Sequence, residues 1–457
     1  MKIDILSAEI GSTTTVVNAF TDINTDNPKF IGQGQSFTTV TQGDVTKGLD
    51  NAYKDLKAKL MTSNLEYEEF FATSSAAGGL RMTVHGLVHD MTVKAAKEAA
   101  LGAGANIKFI TSGKMEEYDI KKLKQISPSI ILISGGVNYG ERETALYNAK
   151  KITKINEIKD IPVIYAGNLE NQDEIKELFN TAGRKVYIVD NVYPKIDQLN
   201  VAPTRKKIQE VFEEHITKAP GMDKVRNLVN RNIMPTPGAV MKITQLLEKE
   251  IGDLVVVDVG GATTDVHSVT LGSDNINAIL ISPEPMAKRT VEGDIGVFIN
   301  AKNIIDDISL EELSRKTEII IEKLQDIMAN YKPIPKTKCE KNFIEYLTLE
   351  ASKIALKRHV GKLRYLYGAS GKRTIAEGKD LTNVKYVIGT GGALTRLEGI
   401  NMLKQVIQSN GDELLPSKDV SILIDRLYIM ASLGVISDKY PQAAIKLLMQ
   451  SIGLEKV

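Results

Sequence analysis

Val255-Val256-Val257-Asp258-Val259-Gly260-Gly261-Ala262-Thr263-Thr264-Asp265-Val266-His267-Ser268-Val269 is the stretch that decides the fold. The apolar run from Leu254 to Val257 reads as a strand buried on both faces. It ends in an acid, Asp258, followed by Gly260 and Gly261 and then by Thr263, Thr264 and Asp265. The apolar residues resume at Val266 and Val269. The pattern predicts a hairpin whose turn is left bare for a phosphate, because glycine removes the Cβ that would block the approach. Backbone amides and threonine hydroxyls would donate to phosphate oxygens. Asp258 would hold a magnesium ion through water. An ordinary glycine turn with a solvated acid explains one such motif equally well.

The motif has a second copy. Near the N-terminus the chain reads Ala8-Glu9-Ile10-Gly11-Ser12-Thr13-Thr14-Thr15-Val16-Val17. Laid on the first copy without gaps, Glu9 falls on Asp258, Gly11 on Gly260, Thr14 on Thr263 and Thr15 on Thr264. Two related hairpins in the two halves of one chain predict a duplicated domain with a nucleotide clamped between the copies. A third signal follows at Tyr386-Val387-Ile388-Gly389-Thr390-Gly391-Gly392-Ala393. A short strand there ends in glycines and a helix follows, so bare backbone would receive an adenine ring and the helix N-terminus would face the phosphates.

Composition narrows the class. At 457 residues, with 42% hydrophobic and 25% charged residues, the chain is expected to fold as a globular protein of at least two domains. A formal net charge of +1 gives no field favouring nucleic acid or an anionic membrane. No apolar run approaches the roughly 20 residues needed to span a bilayer. The start, Met1-Lys2-Ile3-Asp4, runs into a strand rather than a signal peptide, and the single Cys339 fits a reducing cytoplasm. One thiol per chain also excludes a four-cysteine cluster shared by a dimer. Five scattered histidines show no metal-ligand spacing.

Between the two hairpins lies a repeated βα pattern. Ile107–Ile110, Ile130–Ile133, Pro162–Tyr165 and Val186–Val189 are short apolar runs separated by charged helical segments, which predicts parallel pairing. Three of them run into glycine or asparagine, at Gly135-Gly136, Gly167-Asn168 and Asn191, which plain βα loops also explain. Phe71–Leu80 reads as a further strand ending in small residues, with a long helix running on to Leu101. Gly293-Asp294 reads as a helix start under the nucleotide, or as a cap with no ligand. Lys353, Lys357 and Arg358 read as a solvated face. Gly368–Arg373 has the wrong spacing for a phosphate loop.

The order of motifs resembles the actin, sugar-kinase and heat-shock-chaperone ATPase superfamily. Within it the chain closely resembles the MutL (GlmL) family, accessory proteins of adenosylcobalamin-dependent glutamate (methylaspartate) mutase. The resemblance rests on the two hairpins, on Ser74-Ser75-Ala76-Ala77-Gly78-Gly79-Leu80, on Leu199-Asn200-Val201, on Met234-Pro235-Thr236-Pro237, and on Pro283–Pro285 with Arg289–Asp294. It implies an α/β fold of two ribonuclease-H-like domains around a MgATP cleft, with an α/β elaboration in the first half. The expected division is 1–240 with the elaboration at about 105–190, 241–420, and C-terminal helices in 421–457 that pack back across both. It also implies an ATP-driven, chaperone-like reactivating factor that opens a mutase carrying damaged cobalamin. The client would be glutamate mutase or a related aminomutase.

The expected site has Glu9 and Asp258 as catalytic and magnesium-holding acids. Gly11, Ser12, Thr13 and Thr14 with Gly260, Gly261, Thr263 and Thr264 would hold phosphates, and Gly389, Gly391 and Gly392 adenosine. The superfamily carries Asp where this chain has Glu9, which implies slow hydrolysis. A small-molecule kinase on the same fold is the alternative, but no base for an acceptor hydroxyl is evident. A filament-forming relative is disfavoured by the bulk of the elaboration.

Overall fold

The computed structural model describes residues 1–40, 43–75, 80–215, 222–230, 233–306, 308–368, 371–408 and 411–454. Four strands open the chain: β1 (Lys2–Ile10), β2 (Thr14–Thr21), β3 (Lys29–Phe37) and β4 (Glu66–Ser74). β1 is buried almost throughout from Ile5 onward, as a central strand covered on both faces must be. It pairs antiparallel with β2 and parallel with β4, and β2 pairs antiparallel with β3.

The chain then leaves this sheet and builds another. β5 (Leu80–Gly86), β6 (Ala105–Ser112), β7 (Ile130–Ile133), β8 (Val163–Tyr165) and β9 (Val186–Ile188) pair in the order β6-β5-β7-β8-β9, every pair parallel. The predicted long helix ending at Leu101 is therefore shorter. Its first part is β5, and a π turn at His89–Val93 precedes the helix Lys94–Gly102. The reason is burial: Leu80, Met82, Thr83, Val84 and His85 are all inside, so neither a period of 2 nor one of 3.6 shows. This sheet thus begins ahead of residue 105. Residues 76–79 of the Ser74–Leu80 motif lie outside the described residues.

β10 (Ile233–Pro235) returns to pair parallel with β4 and completes the first sheet as β10-β4-β1-β2-β3. The second half repeats the plan. β11 (Leu254–Val259), β12 (Thr264–Val269) and β13 (Ala287–Glu292) form an antiparallel meander. After the hairpin of β14 (Lys362–Gly368) and β15 (Gly371–Glu377), β16 (Tyr386–Thr390) and β17 (Ser421–Ile424) add in parallel. The order is β13-β12-β11-β16-β17, the same as in the first sheet with the same strand directions. Two copies of one five-strand plan in one chain are the duplicated ribonuclease-H-like, actin-like ATPase architecture. The rejected phosphate-loop lookalike falls at the turn between β14 and β15, and its Ala369 and Ser370 lie outside the described residues.

Helices Thr236–Ile251, Met430–Ile436 and Pro441–Ile452 join the copies. One apolar cluster holds Ile5, Phe20 and Phe71 from the first sheet, Leu254, Val256 and Ile388 from the second, and Met430, Leu433 and Leu447 from the C-terminal helices. The helices cross at Gly434, where an added Cβ would lie 2.1 Å from the Ala239 carbonyl oxygen. Gly434→Ala must push them apart, at a cost of roughly 1–3 kcal/mol. Urea unfolding will show this as a lowered midpoint, and an unshifted midpoint would refute the close crossing. We keep the division into 1–240, 241–420 and 421–457 as a proposal, with β17 assigned to the second sheet.

Candidate nucleotide cleft

The two glycine–threonine hairpins have the same local geometry. Gly11 N donates to Thr14 O at 2.9 Å, and Gly260 N donates to Thr263 O at 2.9 Å. The turns meet face to face: a Cβ built on Gly261 would sit 2.7 Å from Thr13 Oγ1 and Cγ2. Between them opens a cleft of about 330 Å³. Glu9, Gly11, Ser12, Thr13 and Thr14 line it from the first half, and Asp258, Gly260, Gly261, Thr263 and Gly392 from the second.

Three expected residues stand elsewhere. Thr264 is buried and its hydroxyl donates to Ile295 O at 3.0 Å, so it closes the turn from behind. Gly389 is a packing glycine inside β16, where a Cβ would meet Ile424 and Leu403. Gly391, at φ +85°, lies behind the acid: a Cβ there would fall 2.6 Å from Asp258 Oδ1 and 2.5 Å from Val259 O. Gly293-Asp294 starts no helix. The chain turns there, and Asn303 Nδ2 donates to Asp294 O at 2.8 Å. The basic segment is a surface with ion pairs, Lys353 to Glu350 at 2.8 Å and Arg358 to Glu292.

Other groups in the cleft are not among the expected site residues. Tyr428 donates its hydroxyl to Glu9 Oε1 at 3.1 Å, from 419 residues away in sequence. Thr236 lines the cleft, and its buried hydroxyl has no hydrogen-bond partner. Such a group is expected to meet water or a ligand. Phe298, Pro333, Ile334, Pro335 and Ile344 form an apolar wall in the same cleft as Gly392, Ala393 and Leu397. That wall suits a flat base, while the two turns suit phosphates.

Negative charge is concentrated at the floor. Burial raises the Glu9 carboxyl to about 7, with Asp425 adding to the rise and the Tyr428 hydrogen bond opposing it. Burial also holds Asp258 well above the usual carboxylate range, with Asp265 and Glu9 adding to it and Arg289 opposing. Arg289 is engaged with Asp265, Nε at 2.9 Å and Nη2 at 2.5 Å from Oδ1. Asp425 is held by the backbone of Ile429 and Met430 and by Thr390 and Ser451. Among the described residues, Glu9 and Asp258 have no cationic partner. Buried acids without a counter-ion fit a cation carried in with the ligand. No three His, Cys, Asp or Glu side chains among the described residues are grouped to hold an ion directly.

Glu9 gives a testable pH dependence. Its folded pKa is raised from 4.5 to about 7, so the folded chain binds this proton more tightly than the unfolded chain does. The stability it contributes is present below the unfolded value and is lost as pH rises through about 7. In nucleotide-free protein, Glu9→Gln should flatten the stability–pH curve across that window by about 3 kcal/mol. Equal slopes for the two proteins would sink the assignment.

A family model described as MutL protein matches residues 5–452. The chain belongs to the MutL protein family. Another MutL sequence, Protein MutL of Clostridium tetanomorphum, is 34% identical over 460 residues, covering 97% of this chain and 98% of that protein. Among solved structures, acetone carboxylase in its nucleotide-free form aligns with a TM-score of 0.41 at 12% identity, covering 95% of this chain and 70% of that one. The nucleotide-free diol dehydratase-reactivating factor aligns with a TM-score of 0.38 at 10% identity, covering 97% and 100%. Among the described residues no helix is long and apolar enough to cross a membrane.

Proposed function

We propose that this chain is an ATP-dependent reactivating factor for an adenosylcobalamin-dependent mutase, with glutamate (methylaspartate) mutase as the client. The observation that supports the ATP site is the meeting of two matched glycine–threonine turns over Glu9 and Asp258, acids with no cationic partner among the described residues. The turns would hold the phosphates, with Thr236 available to the ligand. The apolar wall and Gly392 would hold adenosine. Glu9 and Asp258 would hold magnesium through water, and that ion would supply charge neutralisation on the phosphates. Asp258 would orient the attacking water. Tyr428 fixes Glu9, and the longer glutamate suits slow turnover, as in a switch. The client rests on the family resemblance.

In this mechanism nucleotide binding draws the two halves together, and the closed form has a different affinity for the mutase. The free energy delivered cannot exceed that difference. The test is recovery of glutamate mutase poisoned with an inert cobalamin, given this protein, fresh coenzyme and MgATP. Recovery with ATP but not with ADP is the expected result. ATP hydrolysis without recovery would remove glutamate mutase as the client. Absence of ATP binding would overturn the cleft assignment.

A further inference from the structure

The all-parallel sheet inserted in the first half has a ligand-binding topology of its own. Numbered along the chain, its strands lie in the order 2-1-3-4-5, β6-β5-β7-β8-β9. In a doubly wound sheet of this order, ligands sit beyond the carboxyl ends of the strands, where the first and third neighbour each other. Here those strands are β5 and β7. The loop after β5 presents His89 and Asp90, with side chains 74% and 89% exposed. His89 Nδ1 lies 2.8 Å from Asp90 Oδ1. A carboxylate can only accept, so Nδ1 is the donor and Nε2 is the ring nitrogen left for a ligand. A carboxylate behind an imidazole in this way is the usual support for a metal-ligating histidine. The other histidines with described side chains, His85, His267 and His359, are buried.

The loop is held rather than loose. The Thr92 hydroxyl accepts from Leu87 N and Val88 N, each at 3.1 Å, within the π turn that carries His89. Around it the same sheet edge exposes apolar side chains: Val88 after β5, Tyr139 after β7 and Leu169 after β8. Their loops adjoin. Tyr139 N donates to Asn168 Oδ1 and Leu169 N to Asn138 Oδ1, both at 3.2 Å. Asn168 and Asn191 are thus loop ties, Asn191 Nδ2 donating to Gly136 O at 3.0 Å.

A single exposed imidazole at a sheet edge that also exposes apolar side chains suits a ligand that brings its own metal in a wide flat ring. We propose that this edge binds a corrinoid, with His89 Nε2 as an axial ligand to cobalt. The imidazole replaces a bound water, and the cobalt oxidation state is unchanged. The choice of corrinoid rests on the mutase-reactivation reading. It gives the insertion a task in that reading, receiving the cofactor as it leaves or enters the client.

The test titrates the full chain with aquocobalamin, following water replacement by visible absorption and affinity by equilibrium dialysis. The expected affinity exceeds that of N-acetylhistidine amide at least about tenfold, because burying on the order of 60 Å² of apolar rim is enough for that factor. His89→Ala should abolish the spectral change, and Asp90→Asn should weaken binding about 10–100-fold. Tyr139→Asn, which suits the left-handed backbone at φ +63°, should weaken binding without altering the histidine spectrum. An affinity equal to that of the histidine derivative, or one unmoved by His89→Ala, would overturn the site. Mutase recovery without cobalamin binding would refute this site and leave the reactivation reading standing. Binding through His89 without recovery of any mutase would do the reverse.

Discussion

Asp258→Asn will lower MgATP hydrolysis by roughly 10²–10⁴-fold, the usual contribution of a positioned acid or base. Phosphate release at saturating nucleotide measures it. The substitution keeps the shape of the side chain, which matters because Gly391 packs directly behind Asp258. It also removes a buried acid that Asp265 and Glu9 disfavour as an anion. The nucleotide-free variant should therefore be no less stable than the wild type at pH 8, and this separates lost chemistry from lost fold. Hydrolysis at the wild-type rate would take Asp258 out of the mechanism.

The second large effect is structural. Arg289 is 2% exposed and joins three parts of the molecule. Its guanidinium grips Asp265 on the second sheet, and Nη1 donates to Leu101 O and Ala105 O, both at 2.9 Å, where the first half leads into β6. Arg289→Ala would leave Asp265 buried and uncompensated beside Asp258, so we expect a loss of roughly 3–5 kcal/mol in urea unfolding. The double variant Arg289→Met with Asp265→Leu should recover much of that loss, since the unpaired charge is gone. A single variant within 1 kcal/mol of wild type would show that the pair is not the clamp described.

Much of this was legible in the sequence because the glycine–threonine turns are local. Gly11–Thr14 and Gly260–Thr263 each lie within a few residues of their acid, and comparing them exposed the duplication. The four βα units were legible because short apolar runs and charged helices alternate. β5 was not, since a strand buried on both faces has no period of its own. Tyr428, Thr236 and the wall at Phe298 and Pro333–Pro335 reach the cleft only through tertiary folding. Gly389 and Gly391 looked like nucleotide contacts, yet one fills a packing gap inside β16 and the other lets the backbone pass behind Asp258. A glycine needed for close packing and one needed for a ligand look alike until the neighbours are known.

The shared core beneath the cleft bears on how the protein is made. Ile5, Phe20 and Phe71 emerge early from the ribosome, but Met430, Leu433 and Leu447, which cover them, emerge among the last described residues. β10 likewise reaches its partner β4 only after the whole inserted sheet has been synthesised. The first sheet must therefore wait, one apolar face open, through most of translation. During that time it is a target for aggregation or for a holding chaperone. A factor proposed to attend another enzyme would itself depend on attendance while it is being born.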